Sequence, residues 1–256
     1  MATNSTPPEQ PVEPSLAKRI PVIEYHGTEY SMGTAVQMKS EWFLSQLQWL
    51  SDNSYATLTG EQLIDFALGV SRPPQKSCAI RFDLGLAVAN NVEQVVIPAL
   101  EKYGFRALFF VLTSSVKNES KDNFLTWDQI REWEGAGLIE VGSHGVYHPN
   151  YKKINQVQRK WDAKTSKATI EENIGHPISL FAYPYDAVPI RPDLLLKPLG
   201  YQLALSGYRV QRSVLFKDPN PYALPCYYPY SNSKIYPKIN GTKGLTFGQM
   251  IEAAIV

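Results

Sequence analysis

The sequence predicts an α/β fold, a single distorted (β/α) barrel of about seven parallel strands. Three observations lead there. Short apolar runs alternate with capped or amphipathic helical stretches along nearly the whole chain, as in a parallel sheet with helical crossovers. No glycine-rich phosphate fingerprint accompanies them, which favours a closed or nearly closed barrel over an open nucleotide-binding sheet. Finally, His26, Asp83, His144 and Tyr183-Pro-Tyr-Asp186 all fall at or just past the end of a predicted strand. Parallel barrels keep their chemistry at that rim.

The elements follow in order. Residues 1–18 are rich in Pro, Ser, Thr and Glu without periodicity, so they read as a disordered linker or arm, and they lack the apolar core of a secretory signal. One domain, residues 19–256, is expected after it. Ile20–Tyr25 is a strand, and Trp42, Leu44, Leu47 and Leu50 mark a helix over 40–53. Ala56–Leu58 is a short strand, and Thr59-Gly-Glu-Gln62 is a capping box for a helix that Gly69 closes. Cys78–Asp83 is a buried strand. A helix over 91–103, a strand over 106–112, a second capping box at Thr126-Trp-Asp-Gln129 and a strand over 138–142 come next. A polar helix over 153–172, a strand over 177–183, a helix over 192–199 and a strand over 201–205 continue the alternation. Residues 222–227 offer one more strand, and 246–255 a closing helix.

Composition narrows the function. A net charge of +1 in 256 residues, with no Lys/Arg cluster, gives no reason to expect nucleic acid as a partner. Every apolar run is too short for a membrane span. Cys78 and Cys226 have neither zinc-ribbon nor redox spacing, and two separate buried thiols are expected. No Gly-x-Ser-x-Gly elbow and no Walker-type loop is present. A paired-carboxylate glycosidase could be built on Asp83 and Asp186, but it leaves the histidines unexplained, and Glu24 and Glu140 sit mid-strand.

Asp83 ends a buried strand, so its carboxylate must be paired, ligated or used. His144 and His148, four positions apart beside a strand end, fit a divalent metal of zinc or nickel type. Tyr147, Tyr183, Tyr185 and the Tyr227-Tyr-Pro-Tyr230 cluster bring aromatic rings to the same rim, where tyrosines also serve as packing.

Phe82-Asp83-x-Gly85, Ser143-His-x-x-x-His148-Pro149 and Phe181-Ala-Tyr-Pro-Tyr185 resemble, in order, three motifs of the polysaccharide deacetylases, carbohydrate esterase family 4 with its NodB-homology domain. Leu125-Thr126-Trp127 resembles the family's helix entry before the histidine motif. Ile20–His26 resembles the branch that deacetylates poly-N-acetylglucosamine, in which the catalytic histidine comes early. The resemblance implies that residues 19–256 are a deacetylase-like catalytic domain acting on an acetylated polysaccharide, outside the cell or in its envelope. It implies Asp83 as general base, His26 as the acid that protonates the leaving amine, and His144 and His148 as ligands of a divalent ion, zinc first, with cobalt or nickel as alternatives. It further implies that the backbone N–H of Tyr185 helps to stabilise the oxyanion, and that water activated by the ion attacks the acetyl carbonyl.

Three departures fall at the proposed site. The second Asp of the family motif, a metal ligand, is Leu84 here, and the glycine after Pro-Tyr is Asp186. Arg81, two positions before Asp83 on one strand face, is placed to pair with it and to oppose a cation. Three readings stay open: a working deacetylase with Asp186 (or Asp83) as the missing metal ligand, a relative that binds glycan through Arg81 and the tyrosines without turnover, and a structural module with no ligand.

Overall fold

A computed structural model describes residues 15–26, 38–84, 91–118, 124–207, 212–229 and 247–256. The expectations for residues 1–14, for Gly85 and for Tyr230 lie outside these. Residues 15–18, expected in the arm, already belong to the domain. Ala17 N–H donates to Pro73 O (2.8 Å), Gln75 N–H donates to Ser15 O (2.7 Å), and Ala17 is buried.

The strands are β1 (Arg19–Ile20), β2 (Val22–Tyr25), β3 (Ala56–Thr57), β4 (Ser77–Leu84), β5 (Ala107–Val111), β6 (Ile139–Ser143), β7 (Leu180–Ala182), β8 (Leu203–Leu205) and β9 (Val214–Leu215). Strands β2-β4-β5-β6-β7-β8 form one parallel path, β3 adds to the start of β4, and β1 pairs antiparallel with β9. The path curls into a distorted half-barrel. Its open side is spanned by residues 221–229, through Ser206 N–H to Leu224 O (2.7 Å) and Glu24 N–H to Tyr227 O (2.9 Å). The last expected strand is therefore a pair of isolated bridges, Leu205 with Leu224 and Ile23 with Tyr227. Pro21 and Pro225 lie beside those two bridges and donate no backbone hydrogen bond.

The helices are α1 (Ser40–Asp52), α2 (Gly60–Leu68), α3 (Ile97–Tyr103), α4 (Trp127–Gly135), α5 (Gln156–Ile174), α6 (Pro192–Leu196) and α7 (Phe247–Ile255). A π-helical turn, Val92–Val96, opens α3. Both expected capping boxes form, and Gly69 closes α2 with φ +80°. Helix α5 begins later than expected because a third box, Asn155 with Gln158, sets its start.

Strand alternation sorts the core into two layers. On β4, Cys78, Ile80, Phe82 and Leu84 face the outer layer under the helices, together with Ile23, Tyr25, Phe109, Val141 and Phe181. Ala79 faces the barrel interior with Val22, Leu108, Phe110, Leu180 and Leu205. Arg81 and Asp83 share the parity of Ala79, so they rise inside the barrel toward its C-terminal rim. Leu84 points the other way. Cys78 and Cys226 are free, buried thiols.

Candidate active site

The site is built around a guanidinium. Arg81 is 0 % exposed and grips Asp83 with two nitrogens, Nε to Oδ1 at 2.7 Å and Nη2 to Oδ2 at 2.5 Å. Its Nη1 lies 2.8 Å from Glu24 Oε2 and 3.2 Å from Cys226 Sγ, and Nη2 lies 3.6 Å from Asp186 Oδ1. Parallel register makes this possible, since Glu24 on β2 sits directly across from Arg81 on β4. Burial alone would push the Asp83 carboxyl up, but Arg81 and then His144 pull it down to about 2.

His144 follows β6 into the interior. Its Nδ1–H donates to Ala182 O at 3.0 Å, which leaves the Nε2 lone pair facing Asp83 Oδ2 at 3.7 Å. Burial holds this imidazole neutral, pushing it down to about 3 against the pull of Asp83. His148 comes back to His144 (ring centroids 4.9 Å apart) and packs on Tyr185 at 4.4 Å. His26, just past β2, is partly exposed, lies 3.5 Å from Glu24 Oε1 and stacks beside Tyr228 at 6.2 Å. Burial also lowers His26 and His148, so all three rings favour the neutral, metal-binding form.

Backbone strain concentrates here. His148, Tyr185 and Asp186 all have positive φ (+56°, +57° and +51°), each at a cost of about 1–3 kcal/mol. The histidine loop is held by Asp162 of α5, which accepts from Val146 N–H (3.1 Å) and Tyr151 OH (2.8 Å). Gly145, at φ +83°, is required there because a Cβ would stand 2.4 Å from Asp162 Oδ2.

Several expected roles need correction. Tyr183 is 0 % exposed, has the parity of Phe181, and donates its OH to Tyr222 O at 3.1 Å. It is an outer-layer core residue and cannot stack on a sugar. Arg81 is sealed by its carboxylates and offers no face to a substrate. Asp186 serves the interior network, since Oδ1 accepts Gly207 N–H at 2.6 Å and Oδ2 accepts the Tyr228 OH. Tyr185 and Tyr147 are at the surface, 62 % and 70 % exposed.

The residues brought together for a cation differ from the expected set. Among the described residues, Glu24, His26 and Asp83 each offer one donor atom within 4.8 Å of the others, whereas Asp186, His144 and His148 are not grouped this way. Glu24 is fully buried without a well-formed hydrogen bond to either oxygen. Burial raises its carboxyl well above the usual range, with Arg81 opposing. Three buried carboxylates face one guanidinium and neutral imidazoles, which leaves two negative charges unbalanced when all are ionised. A divalent ion suits that deficit and this N/O donor set. Gly207 was missed from sequence and Glu24 was set aside as a mid-strand residue, whereas Tyr228 belongs to the Tyr227-Tyr-Pro-Tyr230 cluster already singled out. The one available signal was that Glu24 and His26 are two apart, like Arg81 and Asp83.

The comparisons with known proteins agree with this architecture. YxkH of Bacillus subtilis (strain 168), assigned as a polysaccharide deacetylase, is 25 % identical over 235 residues, covering 92 % of this chain and 77 % of its own length. The Streptococcus pyogenes deacetylase PplD, solved in complex with acetate, superposes with a TM-score of 0.75 at 18 % identity over 95 % of this chain and 100 % of that one. IcaB from Ammonifex degensii gives 0.70 at 22 % over 82 % and 91 %. A de-N-acetylase from Aggregatibacter actinomycetemcomitans gives 0.68 at 21 % over 81 % and 94 %. At these identities the structural likeness speaks for the fold. The sequence model of the family named polysaccharide deacetylase matches residues 71–204, just over half of the chain, and this protein belongs to that family.

Proposed function

We propose that the protein is a divalent-metal-dependent carbohydrate deacetylase that removes N-acetyl (or O-acetyl) groups from a cell-wall or exopolysaccharide glycan. The observation that carries this reading is the charge deficit at the rim, where Glu24, Asp83 and Asp186 outnumber Arg81 beside three neutral imidazoles. Glu24, His26 and Asp83, with His144 facing Asp83, would hold the ion. Bound there, it would polarise the acetyl carbonyl and acidify water. Arg81 fixes the orientation of Asp83 as a ligand of that ion. Tyr185 flanks the acetylated ring at the rim. A glycan of this kind would place the protein at the cell envelope or outside the cell.

One observation favours a second reading, a relative that binds glycan without turnover. Arg81 holds Asp83 at about 2, far from the near-neutral value that suits a general base, and Leu84 packs in the outer layer where the family motif has a ligand.

The test is metal content and acetate release after zinc, cobalt and nickel have been offered, with chitooligosaccharides and poly-N-acetylglucosamine as substrates. An active enzyme holds about one ion per chain and releases acetate. If both are absent, the second reading stands for those substrates, and Leu84→Asp then asks whether the lost carboxylate is the sole defect. A gain in both metal and turnover says that it is. A gain in neither says that the missing carboxylate is not the only defect.

A further inference from the structure

We propose that Tyr147 and Trp161 form a sugar-stacking subsite beside the catalytic rim, which takes a pyranose ring one or more units along the glycan from the ring being deacetylated. This rests on the reading of the site as a carbohydrate deacetylase. It adds a binding surface that reading does not need.

Trp161 is 52 % exposed and Tyr147 70 %, and among the described residues Tyr185 is the one other large aromatic exposed to that degree. Their rings lie nearly parallel, stacked 14° apart with centroids at 6.2 Å, so the two side chains form one exposed aromatic pair. Tyr147 immediately precedes His148, and the ring of His148 packs on exposed Tyr185. Aromatic faces therefore run outward from the rim, from Tyr185 and His148 to Tyr147 and Trp161. The C–H face of a pyranose is apolar and flat enough to lie on such rings, while its hydroxyls stay in water.

The platform is also pre-organised. Asp162, next to Trp161 on α5, is itself buried and accepts from Val146 N–H (3.1 Å) and Tyr147 N–H (3.5 Å). The same carboxylate that shapes the histidine loop thus fixes Tyr147 relative to Trp161. A surface whose side chains are held before binding loses little entropy when a ligand arrives. An exposed Trp and Tyr on rigid elements, continuous with a catalytic rim, mark a binding surface more strongly than single exposed apolar residues do.

The experiment is calorimetric titration of wild type, Trp161→Ala, Trp161→Phe and Tyr147→Ala with N-acetylglucosamine oligomers from dimer to hexamer, with thermal melting as the folding control. The expected result is roughly five- to tenfold weaker hexamer binding in each Ala variant, near-normal binding in Trp161→Phe, and unchanged dimer binding. Equal hexamer affinity in wild type and Trp161→Ala overturns the subsite and leaves the deacetylase reading standing. A wild type that binds none of the oligomers overturns both. Light scattering that shows a dimer sensitive to Trp161→Ala gives the platform to a second copy of the chain and likewise overturns the proposal.

Discussion

Replacing Arg81 by methionine removes the cation from the middle of the site while keeping a chain of similar length. Three carboxylates then lose their shared partner, at contacts of 2.5 Å (Asp83), 2.8 Å (Glu24) and 3.6 Å (Asp186). Breaking a buried ion pair by deleting one partner costs about 3–5 kcal/mol, against a whole-domain stability of about 5–15 kcal/mol. The pH dependence identifies the cause. In the wild type, the folded value of Asp83 is lowered from 3.8 to about 2, so its contribution is fully present above pH 3.8 and is lost as pH falls through about 2. Without Arg81, burial dominates and raises the carboxyl, so the variant is penalised most at high pH and relieved as the group protonates. The difference between the two proteins is therefore widest near neutral pH and narrows toward pH 4. Urea unfolding followed by tryptophan fluorescence, in chelator and at several pH values, measures it. A variant as stable as wild type at pH 7, or a gap that does not change with pH, refutes the reasoning. Arg81→Lys should fall between the two, because an ammonium cannot reproduce the two-point grip on Asp83.

Glu24→Gln should stabilise the metal-free protein by about 1–2 kcal/mol near pH 8, fading as pH falls toward 4.5 because the raised folded value makes ionised Glu24 a cost only at higher pH. It should at the same time weaken zinc retention on dialysis; lower apoprotein stability with unchanged zinc contradicts the charge argument. Gly145→Ala should lower the melting temperature by several degrees, from a Cβ 2.4 Å from Asp162 Oδ2 and a cost of about 1–3 kcal/mol, whereas Gly175→Ala, with a similar φ and open space, should lose less. His144 should remain neutral from pH 8 to pH 5 in ring-nitrogen NMR, and its refusal of a proton should erode stability as pH falls below 6.5; a midpoint near 6.5 refutes the burial argument.

Much of this was legible in the chain, for physical reasons. Capping boxes and closing glycines are local, so the ends of α2 and α4 could be read directly. The period of two put Arg81 and Asp83 on one face, and the structure keeps them there. The same period, applied to Phe181-Ala-Tyr183, sends Tyr183 into the outer layer with Phe181, away from the stacking role expected of it. Register was not legible. Glu24 reaches Arg81 only because β2 pairs with β4 at that offset, and nothing in either segment alone sets it. Asp162 was hidden differently, as one polar residue in a mostly polar helix whose inward turn depends on how α5 crosses the histidine loop.

Arg81, Leu84 and Glu24 together decide how strongly the rim attracts a cation. Arg81 adds one positive charge to the interior and weakens the pull on a divalent ion, and Leu84, apolar and turned into the outer layer, adds nothing to that pull. Glu24, buried and without a well-formed hydrogen bond, restores one negative charge when it is ionised. Its raised proton affinity means that ionisation is favoured when a cation is there to receive it. The two functional readings thus meet in one residue. With Glu24 ionised, the site holds two charges that suit a metal. With Glu24 protonated, Arg81 has only Asp83 and Asp186 to satisfy, and the interior comes close to neutrality by itself.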